Sequence, residues 1–268
     1  MKTYRRTAVA VGVLYIMATA LSLIDSVLTK GVTGATGHLA QVAASGDRMI
    51  AGALLAVGAG VCCVLIAALL FPLLRRRNEG AALAYAGLRI LEAVTLVVTA
   101  VSVLLLVTVG REAVAAGAAG DPGLRALAST LEGLHAWAFP LNPFVFGLGA
   151  MILYGLLYTT RLVPRWLSVW GLAAAALVFA FSLLRFFGGG SLLLAVPIGV
   201  QEMVLAGWLI VRGFDVRGLA GEAAPAGEAV AASAAVARES RPSARAPRHA
   251  PVPAAHDVPA PARPAAQV

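Results

Sequence analysis

Six apolar segments, each long enough to cross the roughly 30 Å hydrocarbon core of a bilayer, dominate the chain before residue 215. They comprise residues 7–28, 49–74, 81–109, 134–158, 166–187 and 191–212. Lipid offers no partner for backbone N–H and C=O groups, and these continuous apolar runs lack the alternation of barrel strands. The predicted fold class is therefore all-α, an integral membrane bundle of six transmembrane helices.

The overall composition agrees with a membrane location. Hydrophobic residues make up 60% of the chain and charged residues 13%, against about 45–50% and about 25% in soluble domains. The net charge of +8 does not indicate nucleic-acid binding, because most basic residues flank the apolar segments. We expect the lipid bilayer as a partner, and no nucleic acid.

Lysine and arginine are distributed unevenly between the two sets of connecting segments. One set, on the side of the N-terminus, contains Lys2, Arg5, Arg6, Arg75, Arg76, Arg77, Arg161, Arg165, Arg212 and Arg217. The other contains Lys30, Arg48, Arg111 and Arg125, with Arg185 at a helix end. The positive-inside rule predicts a multi-pass protein of the cell membrane with both termini cytoplasmic.

The two ends of the chain call for separate predictions. Ala18-Thr19-Ala20 resembles a signal-peptide cleavage site, but the apolar run continues beyond it, so we expect the first helix to be retained. Residues 215–268 are rich in Ala, Pro and Arg and poor in large apolar residues. Such a segment cannot form a core and is predicted to be a disordered cytoplasmic tail.

The third segment carries two charged residues, Arg89 and Glu92, inside its apolar run. Ionised groups near the bilayer centre cost about 2.5–3.5 kcal/mol each on an insertion scale, so they persist when paired, hydrated or functional. Their i, i+3 spacing allows them to neutralise one another. Tyr85 falls on the same side of the helix, which indicates one polar face.

The sixth segment repeats this pattern with Gln201 and Glu202. One arginine cannot balance two carboxylates, so either one carboxyl is protonated or water or a cationic ligand reaches the site. We therefore predict an intramembrane polar cluster, and its members are Arg89, Glu92, Gln201, Glu202 and Tyr85.

A second set of polar residues is predicted at the outer ends of the helices. Asp25 of the first segment, His135 and Asn142 of the fourth form this candidate group. Pro140 and Pro143 bracket Asn142, which predicts a kink or a break in the outer half of that helix.

Motifs for catalysis, cofactors and metals are missing from the sequence. It contains no Walker loop, no GxSxG elbow and no HExxH pattern. Glu132 and His135 form a single ExxH spacing, whereas di-iron sites need two, and the adjacent Cys62 and Cys63 are typical of small core residues. We expect no enzyme activity, no catalytic residue, no cofactor and no metal.

Five pieces of the chain resemble, in order and spacing, a known family. They are RTAVAVGVLYIMATA, NEGAALAYAGLRILEA, LHAWAF, YTTRLVPRWLSVWGL and PIGVQEMVLAGWLIVRGF. They are similar to the bacterial six-helix membrane family called domain of unknown function 4386, over roughly residues 4–214. The resemblance implies a helical membrane core and no established activity. One departure is Gln201, where we expect an aromatic residue before the glutamate.

Two functions fit these features. In the first, the protein is a non-catalytic structural or partner-binding membrane component, and a buried Arg/Glu network holds the third and sixth helices together. In the alternative, the same residues line a midplane cavity of a small-solute or proton-coupled transporter or sensor. Neither the solute nor a protein partner can be named from the sequence.

Overall fold

A computed structural model describes residues 2–30, 39–118 and 120–215 of the chain. Within these ranges the protein is helical and contains no strand. The helices are α1 (Lys2–Leu28), α2 (Leu39–Ala44), α3 (Gly46–Leu74), α4 (Glu79–Ala115), α5 (Pro122–Thr160), α6 (Arg165–Phe186) and α7 (Val196–Val211), with a 3₁₀ turn (Leu192–Ala195) before α7. The predicted disordered tail lies outside the described residues after Asp215.

Five of these helices, and α7 together with the 3₁₀ turn that precedes it, are long and apolar enough to cross a membrane, whereas the short α2 is not. The predicted fold class of a six-helix, all-α membrane bundle is thus confirmed. Helices α4 and α5 contain 37 and 39 residues, which at 1.5 Å per residue is nearly twice the ~30 Å hydrocarbon thickness. Their extensions and α2 share a second hydrophobic cluster with α3, away from the main core.

Local sequence signals define where the long helices start. The Asn78 side chain accepts a hydrogen bond of 2.9 Å from the Ala81 N–H and caps α4. Asp121 does the same for α5, with Pro122 at the first helical position. Helix α5 continues through Pro140 and Pro143, so of the predicted kink or break, the break is wrong and the kink stays a prediction. Packed neighbours in a membrane bundle tolerate such prolines by supplying other partners.

The six long helices form a closed ring. Each packs against the one before it and the one after it, in the order α1, α3, α4, α5, α6, α7, and α7 packs back against α1. Consequently α4 and α7, the third and sixth spans, are not side-by-side neighbours, and any contact between them crosses the centre of the ring.

Three contacts show which chain segments meet at one end of the ring. Arg76, between α3 and α4, lies over the Tyr4 ring at the start of α1. Arg5 donates to the Leu209 carbonyl near the end of α7, and the backbone N–H after α7 reaches the α5–α6 connection. The segments that are rich in arginine therefore share one end. Which side of the membrane this end faces remains a prediction.

Candidate functional site

The centre of the ring contains an ion pair between Arg89 and Glu92 of α4. The Arg89 Nη1 lies 2.7 Å from the Glu92 Oε2, and the two residues are only 4% and 5% exposed. Leu83, on another face of α4, is 64% exposed. Helix α4 thus turns its polar face inward and an apolar face outward, as lipid requires.

Aromatic rings enclose the Arg89 guanidinium. Its carbon lies 5.8 Å from the ring centres of Tyr15 and Tyr85 and 5.5 Å from that of Phe146. Its Nε also donates a 3.2 Å hydrogen bond to the Tyr85 hydroxyl. A cation within about 6 Å of a ring face is attracted by the ring quadrupole, more strongly when water is absent. Helices α1, α4 and α5 thus all contact one buried cation.

Glu92 connects the pair to two further helices. The Cys63 thiol of α3 lies 3.5 Å from the second carboxylate oxygen, Oε1. The Asn142 amide of α5 donates to the Thr95 hydroxyl at 3.0 Å and to the Glu92 backbone carbonyl at 3.5 Å. Both carboxylate oxygens therefore have partners, and the pair is tied to the helices on either side of α4.

Glu202 of α7, which lies across the ring from α4, faces the same cavity as Arg89. It lines one cavity with Arg89 and three tyrosines, Tyr15, Tyr85 and Tyr154. Among the described residues, no hydrogen bond or ion pair involves the Glu202 carboxylate, and the side chain is partly exposed. The gaps between the side chains total about 160 Å³ but leave no room for a water molecule.

Gln201 occupies a different position from its neighbour. It is completely buried, where its side-chain oxygen accepts a hydrogen bond from the Tyr154 hydroxyl and its nitrogen donates to the Leu167 carbonyl at 3.2 Å. An amide here gives the buried Tyr154 hydroxyl of α5 an acceptor that an aromatic hydrocarbon ring at this position would not supply. Gln201 thus joins the cluster only through Tyr154.

The Tyr15 hydroxyl is a second polar group of the cluster without a hydrogen-bond partner among the described residues. Tyr15 is 2% exposed. A buried hydroxyl without a partner costs roughly 1–3 kcal/mol. The ring of Tyr15 contributes to enclosing Arg89.

The family model for domain of unknown function 4386 matches residues 10–213, which include most of α1, the other five spanning helices and every residue of the cluster. The chain belongs to this family. No match was found among curated proteins or among solved structures. Family membership therefore supports the six-helix core and supplies no activity.

In the described part of the DUF4386 chain, no hydrogen bond or ion pair joins Asp25, His135 and Asn142, and each has different neighbours. Asp25 lies beside Gly52 of α3, and the His135 Nδ1 lies 3.4 Å from the Ser102 hydroxyl of α4. Asn142 joins the Arg89–Glu92 pair instead. Among the described residues, no three His, Cys, Asp or Glu side chains are grouped as a metal site would require.

Sequence reasoning missed four residues of this DUF4386 site: Tyr15, Cys63, Phe146 and Tyr154. Tyrosine in a spanning helix is typical of its ends, where the hydroxyl meets water. Tyr15 lies well inside its span, so its position away from both ends was the available signal. Phe146 and Cys63 are ordinary core residues in sequence, and only the packing of helices assigns them to the cluster.

Proposed function

We propose that the protein is a non-catalytic structural or partner-binding component of the cell membrane, with both termini cytoplasmic. Its buried Arg/Glu network fixes how the helices of the ring pack. The observation that carries this proposal is the closed surroundings of Arg89, whose guanidinium meets one carboxylate, one hydroxyl and three rings with no space for water.

The network mainly determines which arrangement of the helices is favoured, and it adds less to the free energy of folding. Because Arg89 and Glu92 belong to one helix, their ion pair by itself joins no two helices. The links between helices come from Tyr15, Cys63 and Asn142, which contact the pair from α1, α3 and α5. Buried ion pairs often add little net stability compared with apolar residues, but an unmatched partner is costly. Misaligned helices would leave the pair without these partners.

The absence of enzyme activity is part of the proposal. A thiol, Cys63, does lie beside the Glu92 carboxylate, which is a pairing that some nucleophiles use. However, that carboxylate is already bound to Arg89, and Cys63 is only 6% exposed. This burial argues against a substrate position next to the sulfur.

A second candidate, a small-solute or proton-coupled transporter or sensor, is favoured by one observation. Glu202 and the Tyr15 hydroxyl line the same cavity and form no hydrogen bond with described residues. Polar groups of this kind inside a membrane often belong to ligand or proton pathways. This function requires the cavity between Glu202 and Arg89 to open far enough to admit water or a solute.

Two matched substitutions separate these candidates. Under the structural proposal, Glu92→Gln lowers the thermal unfolding temperature, Glu202→Gln changes it little, and proteoliposomes show no proton flux above protein-free vesicles. A dye-reported pH change that wild type carries out and Glu202→Gln abolishes, with stability retained, would favour the transporter and overturn the structural proposal.

A further inference from the structure

A basic pocket lies at the arginine-rich end of the ring, away from the Arg89 cluster. It encloses about 610 Å³ between the α5–α6 connection and the end of α7, which is within the range of about 300–1,000 Å³ typical of ligand pockets. Arg161, Arg165 and Arg212 line it, and all three are exposed. The pocket is therefore open, positively charged and separate from the central cavity.

Two of these arginines are held in position by aromatic rings. The Arg165 guanidinium lies 5.2 Å from the Tyr158 ring centre, and the Arg212 guanidinium lies 5.7 Å from that of Trp208. When an aromatic ring contacts the face of a guanidinium, the N–H groups at its edge remain able to donate hydrogen bonds. Planar, fork-shaped donors fit the oxygens of a phosphate group better than the point charge of a lysine does.

The charge of the pocket remains positive after its other groups are included. Asp215 also lines it, and the C-terminal ends of α5 and α7 face this region with partial negative charges of about half a unit each. The start of α6 contributes the opposite partial charge, and no side chain caps its N–H groups. Three full positive charges outweigh these contributions.

The pocket also lies beside an aromatic patch suited to the membrane surface. Trp166 and Trp208 contact each other edge to face at 6.3 Å, and Trp166 stacks on Trp170. Tryptophan concentrates at the level of lipid headgroups, and basic pockets between spanning helices bind phosphorylated headgroups there. A lipid phosphate would thus lie at the same depth as the arginine side chains.

We propose that this pocket binds a phosphate group, presented by the headgroup of an anionic phospholipid or as a dissolved phosphate. Arg165 and Arg212 donate to its oxygens, and Arg161 supplies further charge at the rim. The proposal is independent of the role of the Arg89 cluster.

The test uses the full chain in phosphatidylcholine nanodiscs. One arm adds phosphatidylglycerol to the lipid, the other adds inorganic phosphate to the buffer, and binding is followed by Trp fluorescence and by lipid retention in native mass spectrometry. The test variant is Arg165→Gln/Arg212→Gln. Its control is Arg75→Gln/Arg76→Gln, which removes two arginines that also stack on rings near this end, over Phe71 and Tyr4.

We expect the test variant to bind at least about tenfold more weakly and the control to match wild type, since each lost hydrogen bond to a charged group weakens binding by about tenfold or more. If the difference appears with phosphatidylglycerol, the phosphate belongs to a lipid headgroup. If it appears with inorganic phosphate, the ligand is a dissolved phosphate. If the double variant does not fold, the single variant Arg161→Gln replaces it, and weaker binding than that of wild type is again the expected result. Equal losses in test and control variants, or no binding in either arm, would overturn the proposal.

Discussion

Arg89 and Glu92, three residues apart on α4, form a buried ion pair of 2.7 Å, and the second carboxylate oxygen of Glu92 lies 3.5 Å from the Cys63 thiol of α3. The pair lets α4 carry its own counter-charge into the membrane. Tyr15, Cys63 and Asn142 then contact it from α1, α3 and α5. An ion pair within one helix thus constrains how three other helices pack against it.

Two tyrosines that enclose Arg89 should respond differently to loss of their hydroxyls. Tyr85→Phe removes the acceptor of the Arg89 Nε hydrogen bond and should lower the free energy of unfolding by about 1–3 kcal/mol. Tyr15→Phe removes a buried hydroxyl that has no partner among the described residues and should be neutral or stabilising. Both changes keep the ring over the guanidinium.

Thermal unfolding of the two variants in the same detergent provides the measurement. A clear destabilisation by Tyr15→Phe would show that this hydroxyl has a partner in the folded protein and would contradict the present account of the cavity.

Closure of the ring depends on a close approach at Gly12 of α1. A Cβ at this position would lie 2.7 Å from the Ala206 carbonyl oxygen and 2.8 Å from the Ile210 Cγ1, both on α7. The Ala206 carbonyl is part of the backbone of α7 and can move only if that helix shifts. Gly12→Ala should therefore destabilise the protein by about 1–3 kcal/mol. Gly207→Ala, where a Cβ meets nothing within 4 Å, should leave the unfolding temperature unchanged or raise it.

The comparison of these two glycine variants is made by thermal unfolding. Equal behaviour would mean that α1 and α7 do not approach as closely as described.

Gln201 should be more important for stability than its charged neighbour Glu202. Gln201→Leu leaves the buried Tyr154 hydroxyl without its acceptor and removes the bond to the Leu167 carbonyl, which should cost about 1–3 kcal/mol. Tyr154→Phe combined with Gln201→Leu should cost less than the sum of the single changes, because both remove one interaction. Strictly additive losses would argue against the hydrogen bond.

Cys63 offers a probe of water access to the cluster. It is 6% exposed and lies beside Glu92. In a Cys62→Ala background, a membrane-impermeant, hydrophilic thiol reagent should not label Cys63 until the protein is unfolded. Ala116→Cys in a background without native cysteines, at the exposed end of α4, should label at once. Rapid labelling of Cys63 in the folded protein would indicate a cavity that opens to water.

The number and position of the spanning helices could be predicted from sequence because apolar length is a direct requirement of the bilayer. Helix ends beyond the bilayer could not, since the extensions of α4 and α5 depend on packing with α2 in a second core. The caps at Asn78 and Asp121 are visible in the sequence, whereas the continuity of α5 through Pro140 is not.

The polar cluster could be predicted only in part. The spacing of Arg89 and Glu92 already indicates their pairing, because i, i+3 neighbours on a helix face each other. The predicted network between the third and sixth helices is different in the structure: Gln201 turns to Tyr154, and Glu202 faces Arg89 across the ring without an ion pair. The order of helices around the ring decides this, and no local pattern encodes it.

The most direct test of the central claim, that the Arg89 pair is a closed structural centre, is a double-mutant cycle in lipid nanodiscs. The free energy of unfolding is measured for wild type, Arg89→Gln, Glu92→Gln and the double variant. Each single change leaves a buried group unmatched and should cost about 3–5 kcal/mol, while the double variant should lose less than the sum by about 1–3 kcal/mol. Single variants as stable as wild type, or strictly additive losses, would contradict the claim.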